Sequence, residues 1–206
     1  MNAHDPNAVR RGRRQMLVLA ALFLVPLAFA FWLYYGSDGW RPSGSTNKGE
    51  LLDPPRPLPD AHLPLAGGSP TDDEDVLRDK WTVVYIGDGA CDEHCRKSLY
   101  LSRQTRIALN KDADRVRRVF LVTGTCCDFD YLEAEQQDLI VAIPTGQQGA
   151  LLLQAFQVQD ELPVDVAGRT YLVDPLGNLF MSYPPGTPDK ALLQDLRKVL
   201  KLSHIG

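Results

Sequence analysis

From Met16 to Tyr35 the chain reads MLVLAALFLVPLAFAFWLYY, 20 residues without one charge. A helix of that length crosses the ~30 Å hydrocarbon core of a bilayer, since each residue rises about 1.5 Å. Arg10, Arg11, Arg13 and Arg14 precede the run, and Phe31, Trp32, Tyr34 and Tyr35 close it. Basic flanks stay cytoplasmic and amphipathic rings favour the interface, so the N-terminus is expected in the cytoplasm. Pro26 lies inside the span, where membrane helices tolerate a kink. Ala28-Phe29-Ala30 has the small-x-small form of a signal-peptidase site, and RRGRR loosely resembles a twin-arginine export signal. Apolar and aromatic residues continue past Ala30, which suits an uncleaved anchor better than a leader. Each reading delivers the remainder across the membrane, expected to be a bacterial inner membrane with the soluble part in the periplasm. Thiols in that oxidising compartment are oxidised unless something reduces them.

The organisation expected from the chain is a basic tail over 1–15, a single transmembrane helix over 16–35, a Pro/Gly-rich linker over 36–79 and a folded domain over 80–206. Beyond residue 15 there are 18 basic and 25 acidic side chains, a net of −7. That acidity argues against nucleic acid as a partner. No repeat period suggests a solenoid. Within the linker, DPPRPLPDAHLP is expected to be extended, because residues before proline avoid the helical region. His62 lies there and reads as a solvated side chain.

WTVVYIG, starting at Trp81, is a buried strand by length and β-branched content. A helix is expected over Asp92–Asn110, with Asp92 and Glu93 in the first turn, where the dipole favours acids. Val116–Gly124 is a second strand and Asp128–Gln137 a helix. DLIVAIP is a strand or a connection, and Gly146–Val158 is a helix. RTYLVDPLGNLFMSY is a hairpin whose turn, Asp174-Pro175-Leu176-Gly177, suits type I. The last helix is expected to start at Thr187-Pro188-Asp189, an N-cap with proline at the first helical position. Leu192, Leu193, Leu196, Val199 and Leu200 form its apolar face. Two parallel strands with a crossover helix, then a hairpin closed by a helix, make an α/β, thioredoxin-like fold behind the single membrane helix.

Cys91 and Cys95 fall at the first strand-to-helix turn of that plan. Residues i and i+4 on a helix lie about 6 Å apart at Cα, within disulfide range. A thiol at a helix N-terminus is stabilised as thiolate, which makes Cys91 the attacking and Cys95 the resolving thiol. Asp92 and Glu93 oppose that effect, and the sequence leaves the balance open. His94 is an auxiliary candidate. The same two sulfurs are candidate Cu(I) ligands, because soft thiolates select Cu(I), but His94 points about 100° away from Cys95 along a regular helix. A structural disulfide is the plain alternative. Either kind of chemistry requires the pair to lie at a solvent-reachable mouth.

The spacing Cys91-Asp92-Glu93-His94-Cys95, the anchor, and the run Val164-Asp165 through Tyr171-Leu172-Val173-Asp174-Pro175-Leu176-Gly177 together resemble the Sco/SenC family over roughly residues 50–203. That resemblance implies a membrane-anchored thioredoxin fold that helps assemble the copper site of cytochrome c oxidase. Three positions depart from it. Val166 stands where the family has its copper-ligand histidine, and Arg96 where proline usually follows the second cysteine. Thr125-Cys126-Cys127-Asp128 replaces the family's acidic loop after the second strand. The resemblance thus implies the oxidase-assembly setting more firmly than copper transfer. The partner implied is the copper-binding subunit of the oxidase or another of its assembly factors.

Cys126 and Cys127 follow the second parallel strand, whose C-terminal end faces the same sheet edge as Cys91. Either sulfur is a candidate to resolve a Cys91 disulfide or to replace the missing copper ligand; the alternative is two small loop residues. The leading expectation is an anchored thioredoxin-like assembly factor that reduces copper-site cysteines. A Cu(I) chaperone using Cys91 and Cys95 and a non-catalytic scaffold are the alternatives.

Overall fold

The computed structural model describes residues 6–36, 46–67, 75–158, 162–203 and 205. It divides into two units, Met1–Thr46 and Asn47–Gly206. The first contains helix α1, Pro6–Gly36, with Pro26 inside it. Its stretch Arg10–Gly36, 27 residues, is long and apolar enough to cross a membrane. Residues 1–5 of the tail lie outside the described residues.

Among the described residues, the second unit has six strands: β1 Glu50–Pro57, β2 Trp81–Asp88, β3 Val116–Thr123, β4 Leu139–Ala142, β5 Thr170–Val173 and β6 Asn178–Tyr183. Four α-helices accompany them, α2 Glu93–Ala108, α3 Phe129–Glu135, α4 Gly146–Phe156 and α5 Ala191–Leu202, with a short 3-10 helix at Asn110–Arg115. The strands form one sheet in the order β1-β6-β5-β2-β3-β4. β2, β3 and β4 are parallel, while β5, β6 and β1 add antiparallel. Because side chains alternate along a strand, β2 serves both faces of the sheet. Val84 and Ile86 pack with Leu152 and Phe156 of α4. Trp81, Val83 and Tyr85 face the other way, into two clusters that hold Leu99 of α2, Leu132 of α3 and Leu196 of α5.

The turn between β5 and β6 forms as its residues require. The Asp174 carbonyl accepts the Gly177 N–H at 2.9 Å, and its carboxylate accepts the Leu176 and Asn178 N–H groups. Gly177 has φ +84, which suits glycine alone.

Two expectations are corrected. The stretch read as linker over 36–79 contributes to the folded unit, which starts at Asn47 rather than near Lys80. β1 pairs with β6, Leu58, Leu63, Val76 and Leu77 are buried, and the Asp195 carboxylate accepts the Lys48 and Gly49 N–H groups. The prolines of DPPRP do extend the chain, and an extended segment that lacks N–H donors suits the sheet edge β1 occupies. His62 is exposed. Residues 37–45 and 68–74 of the stretch lie outside the described residues. The last helix begins at Ala191, not Pro188; the Thr187 hydroxyl donates back to the Pro184 carbonyl instead of capping it.

Candidate functional site

β2 and β3 are parallel, so their C-terminal ends open on one edge of the sheet. β5 runs antiparallel to β2 with Thr170 opposite Tyr85, which brings the loop entering β5 to that same edge. Three connections therefore meet: the turn after β2, the loop after β3 and the loop before β5.

Cys91 and Cys95 occupy the first of these and are joined as a disulfide, their Cα atoms 5.1 Å apart. The Asp88 carbonyl accepts the Cys91 N–H at 3.1 Å. The Asp88 carboxylate accepts the Ala90 N–H at 2.8 Å and the Thr125 N–H at 3.2 Å, tying the turn to the loop after β3. Cys91 has φ 46, a left-handed conformation that costs a non-glycine residue about 1 kcal/mol or more. That turn lets Cys91 precede α2 and still reach Cys95 within it.

Asp92 is the N-cap of α2, its carboxylate accepting the Cys95 N–H at 2.9 Å. The carboxylate thus takes up a helix-terminal N–H at the cysteine pair and sets a negative charge beside it. Asp92→Asn preserves a good N-cap and removes the charge. The reduced pair should then be favoured, and its equilibrium with glutathione should shift towards dithiol by roughly fivefold. An unchanged equilibrium constant would mean that Asp92 has no hold on the sulfurs.

The pair is covered. Cys91 is 2% and Cys95 3% exposed, packed with Tyr85, Leu99, Phe120 and Val122. The open mouth expected from sequence is thus closed in this structure, because the loop after β3 lies across the turn. A Cβ on Gly89 would meet the Thr125 carbonyl oxygen at 2.4 Å and the Cys126 Cα at 2.9 Å, and the Gly89 carbonyl accepts the Asp128 N–H at 2.9 Å. Beneath the pair, burial first and the Asp92 charge second push the Tyr85 hydroxyl up to about 12, so it stays protonated.

Arg96 clamps the same loop. Its Nε donates to the Cys91 carbonyl at 3.1 Å, and its Nη2 donates to Asp128 at 2.5 Å. The guanidinium lies 4.5 Å from the centre of the Tyr131 ring, a cation–π distance. The residue that departs from the proline pattern thus holds two loops together. Cys126 and Cys127 form a second disulfide within the clamped loop. Cys126 is exposed, and Cys127 is half-buried against the cluster that contains Cys91 and Cys95.

His94 turns towards the loop before β5. Its Nε2 lies 3.0 Å from the Gly168 carbonyl, which only accepts, so that nitrogen carries a proton. Gly168 has φ +60 and a Cβ there would lie 2.8 Å from the same Nε2. A groove of about 440 Å³ runs from His94 past Lys97, Gly168 and Pro185; neither Cys91 nor Cys95 lines it. Val166 is 62% exposed and carries no donor atom. Among the described residues no group of three His, Cys, Asp or Glu side chains is gathered to hold a metal ion. A reduced Cys91–Cys95 pair offers two thiolates, and Cys127, itself bonded to Cys126, packs against the same cluster.

The family model described as transmembrane-like, thioredoxin-like, C-terminal domain matches residues 81–203. The chain belongs to this transmembrane-like, thioredoxin-like family. A comparison with curated proteins gives no match. Among solved structures, apo Sco1 from Thermus thermophilus is 20% identical with a TM-score of 0.57, covering 76% of this chain and 99% of its own. ScoI from Arabidopsis thaliana with copper bound is 16% identical with a TM-score of 0.50, covering 62% and 88%. A thioredoxin-like protein in the oxidised form is 14% identical with a TM-score of 0.50, covering 74% and 100%. At these identities the likeness is one of fold, and it is shared with Sco and thioredoxin-like proteins alike. The residues matched by that family model begin at Trp81, the first residue of β2.

Arg118 was not singled out from sequence. It lies fully buried in β3 under α2 and donates to the Ser102 hydroxyl, Asp138, the Leu99 carbonyl and Gln136. Gln136 in turn donates to the Tyr131 hydroxyl, which reaches the Arg96 carbonyl at 3.4 Å. The signal was available: Arg118 shares the strand parity of Phe120 and Val122, so it had to face the same core.

Proposed function

We propose that the chain is a membrane-anchored thiol–disulfide protein whose Cys91–Cys95 pair alternates between disulfide and dithiol to reduce cysteines of a copper-site protein. The observation that carries this reading is the Cys91–Cys95 disulfide at the β2–α2 turn of a thioredoxin-like sheet. Within the pair Cys91 is the attacking thiol and Cys95 the resolving one, with His94 and Arg96 fixing the surrounding loops; because both sulfurs are buried, this chemistry requires the loop after β3 to give way or to relay the electrons. The client class follows from the Sco resemblance: the copper-binding subunit of cytochrome c oxidase, whose cysteines must be reduced before metal enters. In this reading α1 spans a bacterial inner membrane with its N-terminus cytoplasmic, and the folded unit faces the periplasm. Val166, which stands where the Sco family carries its copper-ligand histidine, has no donor atom, and that supports reduction of the client over delivery of Cu(I) to it.

The test is oxidase assembly in cells that carry the Cys91→Ser/Cys95→Ser chain in place of the native one. Assembled copper site should fall about tenfold or more while the anchored protein stays at its normal level, and a small dithiol in the medium should restore it. Full assembly with the double serine chain would replace this reading with a scaffold. Restoration by added copper and not by dithiol would replace it with a copper carrier.

A further inference from the structure

The four cysteines form a graded series. Cys126 is exposed, Cys127 is half-buried, and Cys91 and Cys95 are buried. Disulfide exchange requires a thiolate to reach a sulfur along the S–S axis, so a buried disulfide is closed to a protein partner. The obstruction here is the segment Thr125–Asp128, pinned across the Cys91 turn. Asp88 accepts the Thr125 N–H, Gly89 accepts the Asp128 N–H, and Arg96 joins the Cys91 carbonyl to the Asp128 carboxylate. These contacts hold Cys127 against the cluster containing the buried pair, while its neighbour Cys126 stays in solvent. The residues that cover the buried disulfide are therefore themselves redox-capable.

We propose that Cys126 and Cys127 are the redox port of this protein, exchanging electron pairs between external partners and the buried Cys91–Cys95 pair. The inference rests on the reading that Cys91–Cys95 is a redox couple. Consider the chain with Cys126 and Cys127 reduced and Cys91–Cys95 oxidised. The Cys127 thiolate attacks one sulfur of the Cys91–Cys95 disulfide; that S–S bond breaks, a mixed disulfide forms, and the other sulfur leaves as thiolate. The Cys126 thiolate then attacks the Cys127 sulfur, forming the Cys126–Cys127 disulfide and releasing the second thiolate. Two thiols are oxidised, one disulfide is reduced, and the two protons end on Cys91 and Cys95. The exchange is internal and needs no further reactant. Run in reverse, it presents a dithiol to a client disulfide at exposed Cys126. The first two electrons come from a dithiol donor, for which a reduced thioredoxin stands in below.

The test uses the full chain in detergent micelles, with reduced thioredoxin as a bulky donor and dithiothreitol as a small one. Acid quenching, alkylation and mass spectrometry report each pair separately. In the native chain, thioredoxin should reduce Cys126–Cys127 first, with Cys91–Cys95 following. In Cys126→Ser/Cys127→Ser, reduction of Cys91–Cys95 by thioredoxin should slow at least tenfold while reduction by dithiothreitol continues. An unchanged thioredoxin rate would overturn the port and leave the redox reading of Cys91–Cys95 intact. Failure of both donors to reduce Cys91–Cys95 in the folded native chain would overturn both. As a check independent of that variant, Cys126→Ser alone should trap a mixed disulfide between Cys127 and Cys91 or Cys95 after mild oxidation. Its absence, with Cys127 simply alkylated, would count against the port.

Discussion

Arg118→Ala should lower the stability of the folded unit by about 3–5 kcal/mol, the range for breaking a buried ion pair by removing one partner. Burial lowers the Arg118 guanidinium to about 10, and the Asp138 charge opposes that fall, so the side chain is charged at neutral pH. Its four acceptors lie on α2, on α3's C-terminal flank and at the start of β4's approach: Leu99, Ser102, Gln136 and Asp138. Removing the guanidinium leaves the Gln136 side-chain carbonyl in a dry interior without that donor, while the Leu99 carbonyl keeps only the Ser102 hydroxyl from a side chain. Arg118→Lys keeps a charge but not the planar fork, so it should recover only part of the loss. Thermal unfolding of the full chain in micelles should show the midpoint fall by roughly 10 °C for alanine, and by less for lysine. Equal midpoints for native and Arg118→Ala chains would mean that the network under α2 contributes nothing to stability.

That network also explains why the site stays closed. Arg118 fixes α2 through Leu99 and Ser102, and fixes Tyr131 through Gln136. Tyr131 carries the Arg96 guanidinium on its ring, and Arg96 holds the Cys91 turn against Asp128. A run of polar contacts thus extends from the middle of β3 to the Cys91 carbonyl in the turn after β2.

Much of this was legible in the residues. The uncharged run from Met16 dictates a helix long enough for a membrane, and the β-branched run at Trp81 dictates a central strand. Asp174 and Gly177 suffice for the hairpin turn. Other features were not legible, for physical reasons. Proline gives the same extended backbone to a spacer and to an edge strand, so DPPRP could not announce that β1 pairs with β6. Thr187-Pro188-Asp189 has good capping chemistry, but the turn closed by the Thr187 hydroxyl on Pro184 delays the helix to Ala191. The cover over Cys91 depends on Gly89 and Asp88 meeting a loop 37 residues further along the chain at Thr125, a tertiary contact that local pattern does not encode. Arg96 reads as a lost proline in sequence and acts as a clamp in space.

The central claim is that Cys91–Cys95 is a working redox couple and not a fixed brace, and the second large effect follows from it. In the Cys126→Ser/Cys127→Ser chain, reduction of a small model disulfide, with dithiothreitol as the ultimate donor, should fall about a hundredfold or more when Cys91→Ser is added, because without the attacking thiol no mixed disulfide can form. Cys95→Ser should instead retain the mixed disulfide, unresolved, at Cys91. The most direct measurement is a redox titration of the native chain in glutathione buffers, with the thiol state of Cys91 and Cys95 read by alkylation and the fold followed by near-ultraviolet circular dichroism. The account predicts a reversible two-electron transition at Cys91–Cys95 in a chain that stays folded on both sides of it. A pair that opens only as the fold is lost would make the disulfide structural and contradict the account.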